Sequence, residues 1–93
     1  FQGQTPFLFE LHSGAIACVY RDRNLMRLGV SVSVTTDEGM NWEYAVQVYK
    51  GTDWNCGYPS VVRLQDGRLF CVYYSCYSGF NSEVQGVYLS DDW

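Results

Sequence analysis

The sequence predicts an all-β fold of two antiparallel meanders, and three observations lead there. A sixteen-residue stretch recurs, apolar and polar residues alternate between turn signals, and no window carries a capped 3.6-residue apolar period. Thr5–Tyr20 aligns with Tyr58–Tyr73 at an offset of 53, with Pro6/Pro59, Leu11/Leu64, Gly14/Gly67, Cys18/Cys71, Val19/Val72 and Tyr20/Tyr73 identical. Farther along the offset becomes 55, and Val34-Thr35-Thr36-Asp37 faces Leu89-Ser90-Asp91-Asp92.

Each strand follows from local pattern. Pro6–Leu11 is a short apolar run that stops at Ser13-Gly14, and Ala15–Tyr20 resumes it, which is the signature of a hairpin. Arg27–Thr35 alternates, placing Val30, Val32 and Val34 on one face and Ser31 and Ser33 on the other. Trp42–Tyr49 alternates again, with Trp42, Tyr44, Val46 and Val48 set against Glu43, Ala45, Gln47 and Tyr49. The second repeat gives Pro59–Leu64, an Asp66-Gly67 turn, Leu69–Tyr74 and Val84–Leu89, and no fourth strand before Trp93. Two repeats of about fifty residues match the four-stranded blades of a β-propeller. Phe1-Gln2-Gly3 reads as the remnant of a protease-cleavable linker, so the repeats are expected over 4–50 and 51–93.

Composition narrows the function classes. Ten acidic residues against six basic ones give a net charge of −4, and the densest basic group is Arg21, Arg23 and Arg27. A surface that tracks phosphates is therefore not expected, and nucleic acid is excluded as a partner. No apolar stretch is long enough to span a bilayer as a helix, so no membrane partner is expected either. The four cysteines, Cys18, Cys56, Cys71 and Cys76, fit no dense disulfide scaffold and are expected to be reduced. With no Cys-x-x-Cys pair and a single histidine, His12, neither zinc nor any other cofactor is expected. Aromatic residues make up 17% of a 10.7 kDa chain, more apolar surface than so small a unit readily buries, which points to assembly.

Between the third and fourth strands lies Thr35-Thr36-Asp37-Glu38-Gly39-Met40-Asn41-Trp42. Asp37 is placed to accept backbone N–H groups of its own turn, Gly39 to adopt positive φ, and Trp42 to pack between strands. The segment resembles the Asp-box, the Ser/Thr-x-Asp-x-Gly-x-x-Trp turn of the sialidase-like propellers, with Thr35, Asp37, Gly39 and Trp42 as its structural residues. Ser90-Asp91-Asp92 has the opening of a second box. Tyr58–Gly67 followed by Phe70–Tyr74 is also similar to blade openings in that superfamily. The resemblance covers nearly the whole chain after Gln4.

That resemblance implies a six-bladed propeller, of which this chain would supply two blades, the second incomplete. It implies glycan recognition, with acidic sugars as ligands and three chains closing the ring. It also implies glycoside hydrolase chemistry, in a family often secreted or periplasmic. Strand order then puts the ligand face at the loops joining strands two and three and at the connection between repeats. The expected ligand-binding residues are Arg21 and Arg23 in the first of these loops, Asp53, Trp54 and Tyr58 in the connection, and Tyr77 in the last loop. Aromatic faces beside planar charged and amide groups suit sugar rings and carboxylates. Sialidases use a tyrosine nucleophile and hold the substrate carboxylate with arginines. By that analogy Arg21, Asp53 and Tyr58 are the catalytic candidates. The full arginine triad, acid, tyrosine and glutamate set is not present, and Thr5-Pro6 stands where an arginine would precede the proline. Two functions thus stand side by side, a piece of a glycosidase and a non-catalytic glycan-binding or structural module that oligomerises.

Overall fold

The computed structural model describes residues 1–52, 55–77 and 81–93, and for 76, 77, 81 and 82 the backbone alone. Among the described residues seven strands form in chain order: β1 (Gly3–Glu10), β2 (Ile16–Asp22), β3 (Gly29–Thr35), β4 (Glu43–Lys50), β5 (Cys56–Arg63), β6 (Leu69–Tyr77) and β7 (Asn81–Leu89). No helix occurs among the described residues. β1-β2-β3-β4 make one antiparallel sheet and β5-β6-β7 a second. The seven runs expected from sequence are these seven strands, with ends moved by up to three residues. The largest extensions are at the starts of β1, β5 and β7 and at the end of β6.

The repeat extends to irregularities that alternation alone does not predict. β1 carries a bulge between Gln4 and Phe7, and β5 carries one between Gly57 and Ser60, the positions 53 residues later. Inside each bulge the residue before the proline has a left-handed backbone, Thr5 at φ 51° and Tyr58 at φ 47°. A residue preceding proline is normally pushed into the extended region, and φ > 0 for a β-branched threonine is strained. Both prolines lie on strands at a sheet edge and inside a bulge, where the missing N–H leaves no gap in a ladder. The hairpin turns also match. The Gly14 N–H donates to the Leu11 carbonyl at 2.9 Å and the Gly67 N–H to the Leu64 carbonyl at 2.9 Å. Both glycines have φ near 90°, a backbone that L side chains rarely adopt.

Three details depart from the sequence expectation. Phe1-Gln2-Gly3 is not detached from the fold, because Gly3 pairs with Asp22 and the Phe1 ring lies 4.6 Å from Tyr20 and 5.5 Å from Trp42. Strict alternation fails in β4, where two register shifts against β3 put Tyr44 opposite Ser33 and Val46 opposite Val32. Each shift inserts a residue and flips the parity of the strand beyond it, so Tyr49 comes to face the second sheet, 5.3 Å from Tyr73. The offset between third strands is 54 by pairing, since Thr35 lies opposite Ile16 and Leu89 opposite Leu69. The offset of 55 read from the sequence holds only in the turn after each third strand. There the Asp37 N–H donates to the Thr35 hydroxyl and the Asp92 N–H to the Ser90 hydroxyl. One extra residue separates strand from turn in the second repeat.

The two sheets pack face to face. Phe7, Phe9, Ala17, Val19, Val30, Val32 and Val34 supply the first sheet's side of the core, and Val61, Leu69, Cys71, Tyr73 and Val87 supply the second's. Every residue of β3 is buried. Its valines face the second sheet, while Ser31 and Ser33 sit under Asp22 and Tyr20, to which their hydroxyls hydrogen-bond at 2.8 and 2.9 Å. Asp22 is held by Arg27 as well, at 2.7 Å. Cys18, Cys56 and Cys71 are buried, Cys18 and Cys71 as free thiols, and burial pushes the Cys71 thiol up to about 11. The expectation of reduced thiols holds for Cys18 and Cys71; the side chain of Cys76 lies outside the described residues.

Leu69, 2% exposed where β6 enters this interface, is the position whose truncation tests it. Leu69→Ala is expected to lower the unfolding free energy by about 2–4 kcal/mol through lost burial and the cavity left behind. Met26→Ala, at a side chain 91% exposed, should stay within about 0.5 kcal/mol of wild type in the same urea titration.

Candidate functional site

Antiparallel order sends the connections to opposite ends of the stacked sheets. The β1–β2 and β5–β6 hairpins share one end with the Thr35–Trp42 turn, and the β2–β3 loop lies at the other end, with the connection between repeats. β2 runs through Asp22, so Arg21 is a strand residue and the loop expected to start there begins at Arg23. The physical reason is continued pairing: Arg21 lies opposite both Gln4 and Val30, and Asp22 opposite Gly3 and Gly29.

Arg21 crosses from one sheet to the other. Its Nε donates to the Cys56 carbonyl, one terminal nitrogen donates to Gln4 Oε1 at 3.1 Å, and the other to the Tyr74 hydroxyl at 3.3 Å. Its guanidinium lies 5.5 Å from the centre of the Tyr58 ring, which is stacked 5.8 Å from Tyr74. Tyr58 is 68% exposed, so one broad aromatic surface is open to solvent next to a fixed positive charge. The Tyr58 N–H donates to the Thr5 hydroxyl at 3.3 Å, which ties the two strained pre-proline residues together. Backbone strain of this kind costs on the order of 1–3 kcal/mol and persists only where surrounding contacts over-determine it.

The structure therefore brings Arg21 and Tyr58 together and adds Tyr74, Gln4 and Thr5, which the sequence pattern did not single out. A signal for two of them was present. Tyr74 is the repeat counterpart of Arg21, and Thr5 that of Tyr58, each at a separation of 53. Arg23 lines a hollow with Phe1, Gln2, Gly3 and Gln4, and its N–H donates to the Gln2 carbonyl. Asp53 and Trp54 lie outside the described residues, as does the side chain of Tyr77.

At the opposite end a cleft opens between the hairpins, lined by Phe9, Glu10, His12, Val61, Arg63 and Asp91 among others. Arg63 and Asp91 already satisfy each other. Arg63 binds the Asp91 carboxylate at 2.7 Å and the Glu10 carbonyl at 3.0 Å, and the His12 N–H donates to Asp91 at 2.8 Å. The Arg63 guanidinium, then the His12 N–H, hold the Asp91 carboxyl below its usual range. This arrangement clamps the two sheets.

The Thr35–Trp42 turn is built as its sequence predicts, with one difference. Asp37 accepts the Asn41 N–H at 2.8 Å, the Asn41 side-chain amide at 2.8 Å and the Thr35 hydroxyl at 2.7 Å. These bonds, the Asn41 backbone first, lower its carboxyl to about 2 although it is exposed. Gly39 takes φ 89° beneath the Trp42 ring. Trp42, expected between strands, is only half-buried, because the turn carries it past the end of β3 and it meets the Phe1 ring edge-on.

The chain matches no protein-family model, no curated protein and no solved structure.

Two measurements check this geometry. Arg21→Ala should cost about 2 kcal/mol in urea unfolding, since it strips charge-assisted hydrogen bonds from the Cys56 carbonyl and two side chains. Arg21→Lys should recover only part of that, because an ammonium cannot span three acceptors as a planar guanidinium does. For Asp37 the folded carboxyl titrates below its ordinary 3.8, so its contribution is complete above that pH and disappears as pH falls through about 2. The gap in thermal midpoint between wild type and Asp37→Asn should therefore narrow between those values; a gap independent of pH would contradict the assignment.

Proposed function

We propose that this chain is a unit of a sialidase-like β-propeller that recognises glycans carrying an acidic sugar. The observation that carries the reading is the open Tyr58 ring beside the Arg21 guanidinium, at the end of the stacked sheets where the connections between strands converge. A sugar ring would lie on Tyr58 through its C–H groups, and its carboxylate would turn towards Arg21. Tyr74 and Gln4 fix the guanidinium, so little side-chain freedom is lost on binding. The Thr35–Trp42 turn supports the family reading, because Asp37 makes the backbone hydrogen bond its motif calls for. In this reading each sheet is one blade and a closed ring holds six. The part played by this chain is recognition, with Arg21 and Tyr58 as the residues that carry it.

A second reading, a purely structural module, is favoured by a specific observation. Arg21 already spends three hydrogen bonds in joining the sheets. The two readings separate in a binding experiment. Titration with N-acetylneuraminic acid, followed by NMR, should shift the signals of Tyr58 and Arg21, and its uncharged methyl ester should shift them much less. Tyr58→Ala should weaken binding about tenfold, the loss of one ring contact near 1.4 kcal/mol. Equal responses to acid and ester, or none to either, would leave the structural module as the function.

A further inference from the structure

The way the two sheets stack within the chain defines how a second chain would stack on them. Three hydrogen bonds between the sheets join residues at the same separation of 53: Tyr58 to Thr5, Arg21 to Tyr74 and Arg63 to Glu10. They lie at both ends of the strands, so the repeats stack in register with equivalent strands running the same way. The faces in contact are nevertheless opposite ones. The first sheet uses the side bearing Ala17 and Val19, and the second uses the side bearing Leu69, Cys71 and Tyr73. Their repeat counterparts point away. On the second sheet the outward face carries Phe70 and Val72, with Val62 and Tyr88 opposite Phe70, and Val84 farther along the same face. On the first sheet it carries Ile16, Cys18 and Tyr20, with Leu8 beside Cys18.

One identical tripeptide supplies both sides. Cys18-Val19-Tyr20 recurs as Cys71-Val72-Tyr73. Inside the chain Val19 shares a core with Cys71 and Tyr73; on the outward faces stand Val72 and, on the other sheet, Cys18 and Tyr20. The outward face of the second sheet is largely uncovered, with Val62 55%, Tyr88 55% and Val84 80% exposed. On the first sheet Tyr20 and Cys18 are already flattened under their neighbours, and Leu8 and Tyr44 stand exposed above them.

We propose that the outward face of the second sheet docks on the outward face of the first sheet of another copy of this chain, repeating the internal stack. The contact joins unlike faces, so it is heterologous: each copy offers one face of each kind, and association continues until rotation brings the last copy onto the first. The internal interface fixes the register, with Val72 set over the Cys18 and Tyr20 strand positions, where the exposed side chains of the first sheet are Leu8 and Tyr44. A two-fold dimer of like faces would not reproduce that pairing. The proposal depends on the repeat and its packing, and is independent of any ligand.

The test is complementation in sedimentation velocity with the whole chain. Wild type should sediment as a multiple of 10.7 kDa at micromolar concentration. Val84→Arg blocks the second-sheet face and Leu8→Arg the first-sheet face, both at exposed positions that leave each chain folded by circular dichroism. Each variant alone should be monomeric. An equimolar mixture should give a species of two chains and no larger one, because only one intact pair of unlike faces remains. A monomeric wild type, a single variant that still assembles, or a mixture that stays monomeric would each overturn the proposal.

Discussion

In-register stacking of one sheet on its repeat is the constraint on which the other features depend. It covers the valine face of β3, while Asp22 and Tyr20 of the first sheet cover the serine face, so all seven residues are inaccessible although every second one is serine, glycine or threonine. A strand buried on two faces must satisfy its polar side chains internally. Ser31 does so against Asp22 and Ser33 against Tyr20. Asp22 in turn needs Arg27 and the Asn24 N–H to be tolerated at 1% exposure. No buried side-chain nitrogen or oxygen among the described residues is left without a partner.

The apolar seam has no directional preference, so its alignment is set at the ends. One arginine works at each. Arg21 reaches from the first sheet to the second, and Arg63 from the second to the first. The two differ in what they leave exposed. Arg63 is matched by Asp91 and the hairpin backbone, giving a closed clamp. Arg21 has carbonyl, amide and phenol acceptors among its described partners, so its positive charge is held in place without a described carboxylate beside it. A bound anion at this end would meet a preorganised cation and an aromatic face, which is the asymmetry behind the proposed ligand end.

The strained residues belong to the same scheme. Thr5 and Tyr58 leave the extended region only where a bulge and a following proline coincide, and they are joined by a hydrogen bond across the seam. Each bulge turns its edge strand and presents the residue at its apex sideways. In the second sheet that residue is Tyr58, whose ring is thereby laid against Tyr74 and Arg21 instead of entering the core. The exposed aromatic surface is a consequence of backbone geometry at the bulge.

Strand number, order and hairpin turns were legible in the residues because they depend on short-range pattern. Alternation, Ser13-Gly14 and Asp66-Gly67 punctuation, and the hydroxyl–carboxylate turn at Thr35–Asn41 each act within a few positions. The identical Cys-Val-Tyr tripeptides likewise revealed the repeat. Tertiary structure alone decided the two shifts that reverse parity in β4, the half-exposure of Trp42 and the participation of Phe1, since each depends on which surface meets which. It alone decided that Arg21, read as a loop cation, closes the seam as a strand residue. Sequence spacing cannot register that choice, because the acceptors that select Arg21 come from β1, β5 and β6 and meet only when two sheets 53 residues apart are stacked in register.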